Sequence, residues 1–156
     1  MSETSPKAAG GYASVAGVFL AGLIGGAVIN AFYPVPIWPG DWIRFIGVVP
    51  LAVGVWLFVW ARSTFRRHRT ALMPWTPCSE LVQDGPYRFS RNPIYLAFAT
   101  MYLGFSFVFN SAYILVMLVV ALVLFDRLQI PREERYLHER FGAEFDRYRP
   151  KVRRWI

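Results

Sequence analysis

Hydrophobic positions in this chain come in long uninterrupted blocks rather than in alternating or amphipathic patterns. No charged residue occurs between Lys7 and Asp41. Residues 13–33 of that block would form a helix of about 30 Å, the thickness of a bilayer's hydrocarbon core. The block contains Gly17, Gly22, Gly25 and Gly26, small residues that let a neighbouring helix approach closely. A cleaved signal peptide is the rival reading of this block, which is longer than the usual apolar region of one. Pro34-Val35-Pro36 and Trp38-Pro39-Gly40 then break the helix within an aromatic, interfacial stretch.

A second span is expected over 42–61, uncharged between Arg44 and Arg62 and followed at once by Arg66, Arg67 and Arg69. The stretch 62–92 differs in kind. It is rich in proline and mixed in polarity, and it reads as an ordered loop outside the lipid, where irregular backbone finds hydrogen-bond partners. Ile94 to Phe125 is again free of charge. One straight helix over that stretch would measure about 48 Å, too long for a single crossing. Asn110-Ser111 at its middle supplies a tight turn, predicting a hairpin of spans near 93–109 and 112–130. From Pro131 to residue 149 the pattern changes to an amphipathic helix. Pro131 suits a first helical position and Glu133 and Glu134 its positive dipole end. Leu137, Phe141, Phe145 and Tyr148 form one apolar stripe, to be covered by the bilayer surface or by the loop, and Gly142 divides the helix.

The expected fold is therefore all-α: a single polytopic membrane domain over 1–156, with about four transmembrane helices. Composition agrees, since 55% of residues are hydrophobic and mean hydropathy is +0.33. The net charge of +7 is explained by where the basic residues lie. Six of the seventeen fall in 62–91 and nine in 127–154, whereas the opposite connections hold only Arg44. By the positive-inside rule both termini and the large loop are cytoplasmic, and nucleic acid is not needed as a partner. Arginine greatly outnumbers lysine, which suits a GC-rich bacterium and hence its inner membrane. A lone Cys78 and two histidines, His68 and His138, exclude an internal disulfide and offer no metal-ligand cluster. His68 reads as a headgroup contact and His138 as a surface residue.

Two polar clusters meet at one face because they flank the same hairpin. The first is Gly85-Pro86-Tyr87-Arg88 through Arg91-Asn92-Pro93 and Tyr95; the second is Glu133-Glu134 with Phe141-Gly142 downstream. Together these resemble the two signatures of the isoprenylcysteine carboxyl methyltransferase and phospholipid methyltransferase group, over roughly residues 72–154. The resemblance implies S-adenosylmethionine held between the loop and the C-terminal helices, without a Rossmann fold. It points to Gly85, Tyr87, Arg91, Asn92, Pro93, Tyr95, Glu133 and Glu134 as cofactor-binding residues.

The residue chemistry is compatible with that ligand. Glu133 or Glu134 can hold its ammonium and Arg91 its carboxylate through a two-pronged fork. Tyr87 and Tyr95 can pack on adenine or face the sulfonium. An amine acceptor would need a base, Glu134 or a tyrosine. Bland roles compete at each position: Asn92-Pro93 as cap and first residue of a helix, Arg88 and Arg91 as lipid-phosphate anchors, Tyr87 and Tyr95 as interfacial aromatics. Asn92 stands where the family often has histidine, and Arg127 is the nearest candidate for a positive charge that prenylcysteine enzymes carry before the glutamate pair. Glu134 and Arg127 are accordingly the expected catalytic residues. The acceptor is a lipophilic small molecule or a lipid: a prenylcysteine carboxylate, a phospholipid amine, or a small thiol or amine, entering from the surrounding membrane lipids. A membrane reductase using a nicotinamide dinucleotide and a non-enzymatic scaffold are the alternatives.

Overall fold

The computed structural model describes residues 12–68 and 80–156. Cys78 and much of the expected loop lie outside the described residues. Every regular element described is helical: α1 (Tyr12–Phe32), α2 (Trp42–Arg67), a 3₁₀ turn (Gly85–Arg88), α3 (Pro93–Val108), α4 (Ala112–Leu124), a π segment (Phe125–Gln129), α5 (Ile130–Phe141) and α6 (Ala143–Tyr148). Three stretches are long and apolar enough to cross a membrane: Val15–Phe32, Trp42–Arg67 and Ala112–Phe141. The fourth apolar helix, α3, has 16 residues and is shorter, about 24 Å. Large aliphatic and aromatic side chains such as Leu20, Phe45, Val49 and Trp56 lie exposed on the outer faces of α1 and α2. In water such an apolar belt would drive association; against hydrocarbon it is the expected surface.

Helix α3 packs along α2 and helix α4 along α1. Without a hydrophobic driving force between helices in lipid, close backbone approach decides the contact. Between α2 and α3 that approach is made by Gly47, Gly54 and Gly104. A Cβ on Gly47 would lie 2.7 Å from the Gly104 carbonyl, and one on Gly54 would lie 2.7 Å from the Met101 nitrogen. Among the α1 glycines, Gly22 faces the Tyr102 hydroxyl and Gly26 faces Ile114, while Gly17 and Gly25 have open space. Phe19 anchors the centre, with its ring 5.6 Å from Phe98 and 5.0 Å from Phe125.

The hairpin turns at Asn110, whose φ of 46° is a left-handed conformation that asparagine tolerates. Its carboxamide oxygen accepts from the Ile37 and Trp38 amides at 2.9 and 3.1 Å, and its nitrogen donates to the Trp38 carbonyl at 2.8 Å. Thus the α3–α4 turn is stapled to the α1–α2 connection. Ser111 caps α4 by accepting from the Ile114 amide.

At the other end the structure departs from the sequence expectation. Instead of a separate helix starting at Pro131, one 30-residue helical stretch runs from Ala112 to Phe141. The physical reason is the π segment at Phe125–Gln129. Pro131 has no amide hydrogen to donate into the preceding turn, and a widened turn there absorbs the mismatch without ending the helix. The side chain of Asn92 likewise does not cap α3. Helix α2 also continues six residues past the expected end at 61, as far as Arg67.

Substituting Gly47 or Gly54 with valine forces α2 and α3 apart at backbone contact and should destabilise the fold by about 2 kcal/mol. A lowered thermal midpoint in detergent, with Gly25→Val near wild type, is the expected result.

Candidate functional site

The polar face at the C-terminal end of the hairpin is built from three pieces of chain: the 80–92 segment, α5 with α6, and the last eight residues. Gly85 opens the 3₁₀ turn with φ +56°, and a Cβ there would collide with the Thr64 hydroxyl at 2.6 Å. Only glycine fits both the conformation and the approach to α2. Tyr87 lies with its ring buried, edge-on to Phe65 at 5.1 Å, in a cluster with Ala61, Val82 and Ile94. Its carbonyl accepts from the buried Tyr148 hydroxyl at 2.7 Å, so α6 is bonded directly to the turn. Burial pushes the Tyr148 hydroxyl up to about 12, keeping it a donor. The stripe on α5 and α6 is covered by the loop: Phe145 and Tyr148 are buried with Leu81 and Val152, and Leu137 and Phe141 pack against them.

The charged centre is an ion cluster. Glu134 forms an ion pair with Arg91, whose Nη2 lies 3.1 Å away, and accepts from Arg154 Nε at 3.2 Å and from Arg154 Nη2 at 2.9 Å. The side chains of Arg91 and Glu134 are only 12% and 13% exposed. Burial lowers the proton affinity of Arg91 and the Glu134 charge opposes that shift. Arg154 is shifted upward, chiefly by its hydrogen bond to Glu134. Nε and Nη1 of Arg91 are buried without a hydrogen-bond partner among the described residues. Unsatisfied charged donors are costly, and such donors could hold an anionic group.

Glu133 points elsewhere. It is half-buried and accepts from the Tyr95 hydroxyl at 2.7 Å and from Gln129 at 3.2 Å. The Tyr95 ring is fully buried, 5.4 Å from Phe125. Tyr95 therefore carries a polar tip from the apolar core to the glutamate.

Of the residues singled out from the sequence, Arg91 pairs with Glu134 and Tyr95 with Glu133. Gly85, Tyr87 and Pro93 shape the turn and the start of α3. Asn92 donates to the Arg154 carbonyl at 3.0 Å. Arg127 stands apart, 80% exposed, with one contact to Asp126 at 3.9 Å. The positive charge beside the glutamates comes instead from Arg154. That residue, with Trp155, was not identified from the sequence. The signal available was an Arg-Arg-Trp run ending a polar tail, which a solvated charge run resembles. Arg88 is exposed, and Arg91 pairs with Glu134.

His68 sits between two loop carboxylates, 2.8 Å from Asp84 and 3.2 Å from Glu80, rather than standing alone toward headgroups. His138 lies on the surface, 2.9 Å from Asp146. No group of three or more potential metal ligands occurs among the described residues.

An all-helical membrane protein with a polar cluster roofed by its own C-terminus is the class that fold and site define. Residues 42–144 match the family model of phospholipid methyltransferases, and the chain belongs to that family. An uncharacterized protein of Haemophilus influenzae is 45% identical over 38 residues, 24% of this chain. The matched segment spans 60% of that relative's length. No solved structure matches the chain.

Two outcomes are expected from these contacts. Glu134→Gln leaves the largely buried Arg91 guanidinium without its counter-ion, while Arg154 keeps Asp126, and should cost about 3 kcal/mol of stability, measurable as a lowered thermal midpoint. His68 is raised above its ordinary 6.5, first by the hydrogen bond to Asp84 and then by that to Glu80. A histidine raised in the folded state stabilises fully below pH 6.5 and loses that contribution as pH rises through its folded value. The midpoint should therefore fall between neutral and mildly alkaline pH in wild type and show less of that slope in His68→Ala.

Proposed function

We propose that the chain transfers a methyl group from S-adenosylmethionine to a lipophilic acceptor at the membrane face. The observation that carries this reading is Arg91, whose buried Nε and Nη1 have no hydrogen-bond partner among the described residues, beside Glu134 and within the family match. A carboxylate suits those donors in charge.

When bound, S-adenosylmethionine supplies an electrophilic methyl group on a positively charged sulfur. Arg91 takes the carboxylate end. Glu133 takes the ammonium, because Glu134 already has both oxygens held by arginine. The same occupation argues against Glu134 as a base. An amine acceptor must first lose its proton to a base. A carboxylate or thiolate acceptor needs no base, and alignment and exclusion of water then dominate.

A groove of about 460 Å³ opens on the outer side of the α3–α4 hairpin, lined by Leu96, Leu122 and Val123 and edged by Asp126, Arg127 and Trp155. Apolar walls with a charged rim suit an acceptor arriving sideways from the bilayer, with its polar end at the rim. The distribution of arginine puts this rim on the cytoplasmic side, as expected for a bacterial inner-membrane enzyme.

Calorimetric titration of the nanodisc-held protein with S-adenosylmethionine and S-adenosylhomocysteine tests the reading. Saturable micromolar binding of both is expected. Arg91→Ala should weaken it by a factor of about ten or more, as loss of a charge-assisted pair requires. Binding of NADPH or NADH instead would support a reductase. Folded protein that binds neither class would support a scaffold.

A further inference from the structure

We propose that the C-terminal strap, residues 149–156, is a working part of the site, with Arg154 as the positioning residue that fixes the helix segment bearing Glu133 and Glu134. This rests on the cofactor-site reading above. The strap lies beyond residue 144, where the family match ends.

The helix from Ala112 to Phe141 has one weak place. Its backbone widens over Phe125–Gln129, and Pro131 follows without an amide hydrogen. Such sites are where helices bend. Asp126 stands at the near side of this place and Glu134 at the far side, eight positions on. A single guanidinium holds both: Arg154 Nη1 donates to Asp126 Oδ1 at 3.2 Å, while Nε and Nη2 form a fork on Glu134. The Trp155 indole adds a second bond to Asp126 at 3.0 Å. The brace thus crosses the weak place from outside the helix.

The same strap also holds the loop. The Arg153 carbonyl accepts from the Arg91 amide at 2.9 Å. The Arg154 carbonyl accepts from Asn92 Nδ2 and from the Ser90 hydroxyl. Arg91 and the glutamates therefore keep their relative positions through a piece of chain that belongs to neither polar cluster. Lysine cannot replace this function fully, since a point charge cannot span two carboxylates as a planar fork does.

The test uses full-length protein in nanodiscs with Arg154→Ala, Arg154→Lys and, as an equal loss of charge on the strap, Lys151→Ala. Amide exchange over residues 125–135 and S-adenosylmethionine affinity are both measured. Arg154→Ala should speed exchange in that segment at least tenfold and weaken binding at least tenfold. Arg154→Lys should recover part of the affinity at an unchanged thermal midpoint, and Lys151→Ala should match wild type. Unchanged exchange in Arg154→Ala overturns the proposal, and so does tighter binding, which would make Arg154 a competitor of the ligand. Should Arg154→Ala not be recovered folded, Asp126→Ala removes one arm of the brace, and unchanged exchange there overturns it equally. A wild-type protein that binds no S-adenosylmethionine refutes the cofactor reading, while the exchange measurement still decides the strap.

Discussion

The polar end of this molecule depends on one carboxylate shared by two guanidinium groups. Glu134 joins Arg91, from the loop before α3, to Arg154, from the last residues of the chain. Each group is largely withdrawn from water, so each would be expensive to keep charged alone. Together they are mutually required. This requirement brings a loop, a helix and a tail to one point, although no two are neighbours in sequence. The apolar helices supply a platform, but their packing through small residues and aromatic rings does not by itself choose how the polar segments lie on top.

That choice explains how the two glutamates come to differ. They are adjacent on one helix turn and chemically identical, but their partners separate them. Glu134 is saturated by arginine and acts as a structural hub. Glu133 meets a tyrosine hydroxyl and an amide, contacts that leave it available to a cation or a proton. Arg91 is the counterpart on the other side of the cluster, with donors to spare. On the proposed reading, a zwitterionic ligand end is what would meet both.

Much of the fold was legible because the constraint behind it is severe. A backbone in hydrocarbon must satisfy its own hydrogen bonds, so uncharged blocks of suitable length are helices, and Asn110-Ser111 is a turn. The stripe from Leu137 to Tyr148 was equally legible as a buried face. The path through Pro131 was not, because the local rule that proline starts a helix competes with the π segment that lets one continue. Which glycines matter was hidden too: Gly17 and Gly22 look alike in sequence, and only the position of Tyr102 distinguishes them.

Sequence by itself determined the all-helical membrane class and the loop and tail that carry the polar chemistry, because these follow from local pattern and residue type; Arg91, Tyr95, Glu133 and Glu134 were pointed to by resemblance to a family. Tertiary structure alone decided which glutamate is occupied and that Arg154 rather than Arg127 supplies the neighbouring charge. It also decided that the tail braces the helix across its widened turn. Those outcomes depend on distances between residues far apart in the chain, and Coulomb interactions at low dielectric are decided by distance, not by order.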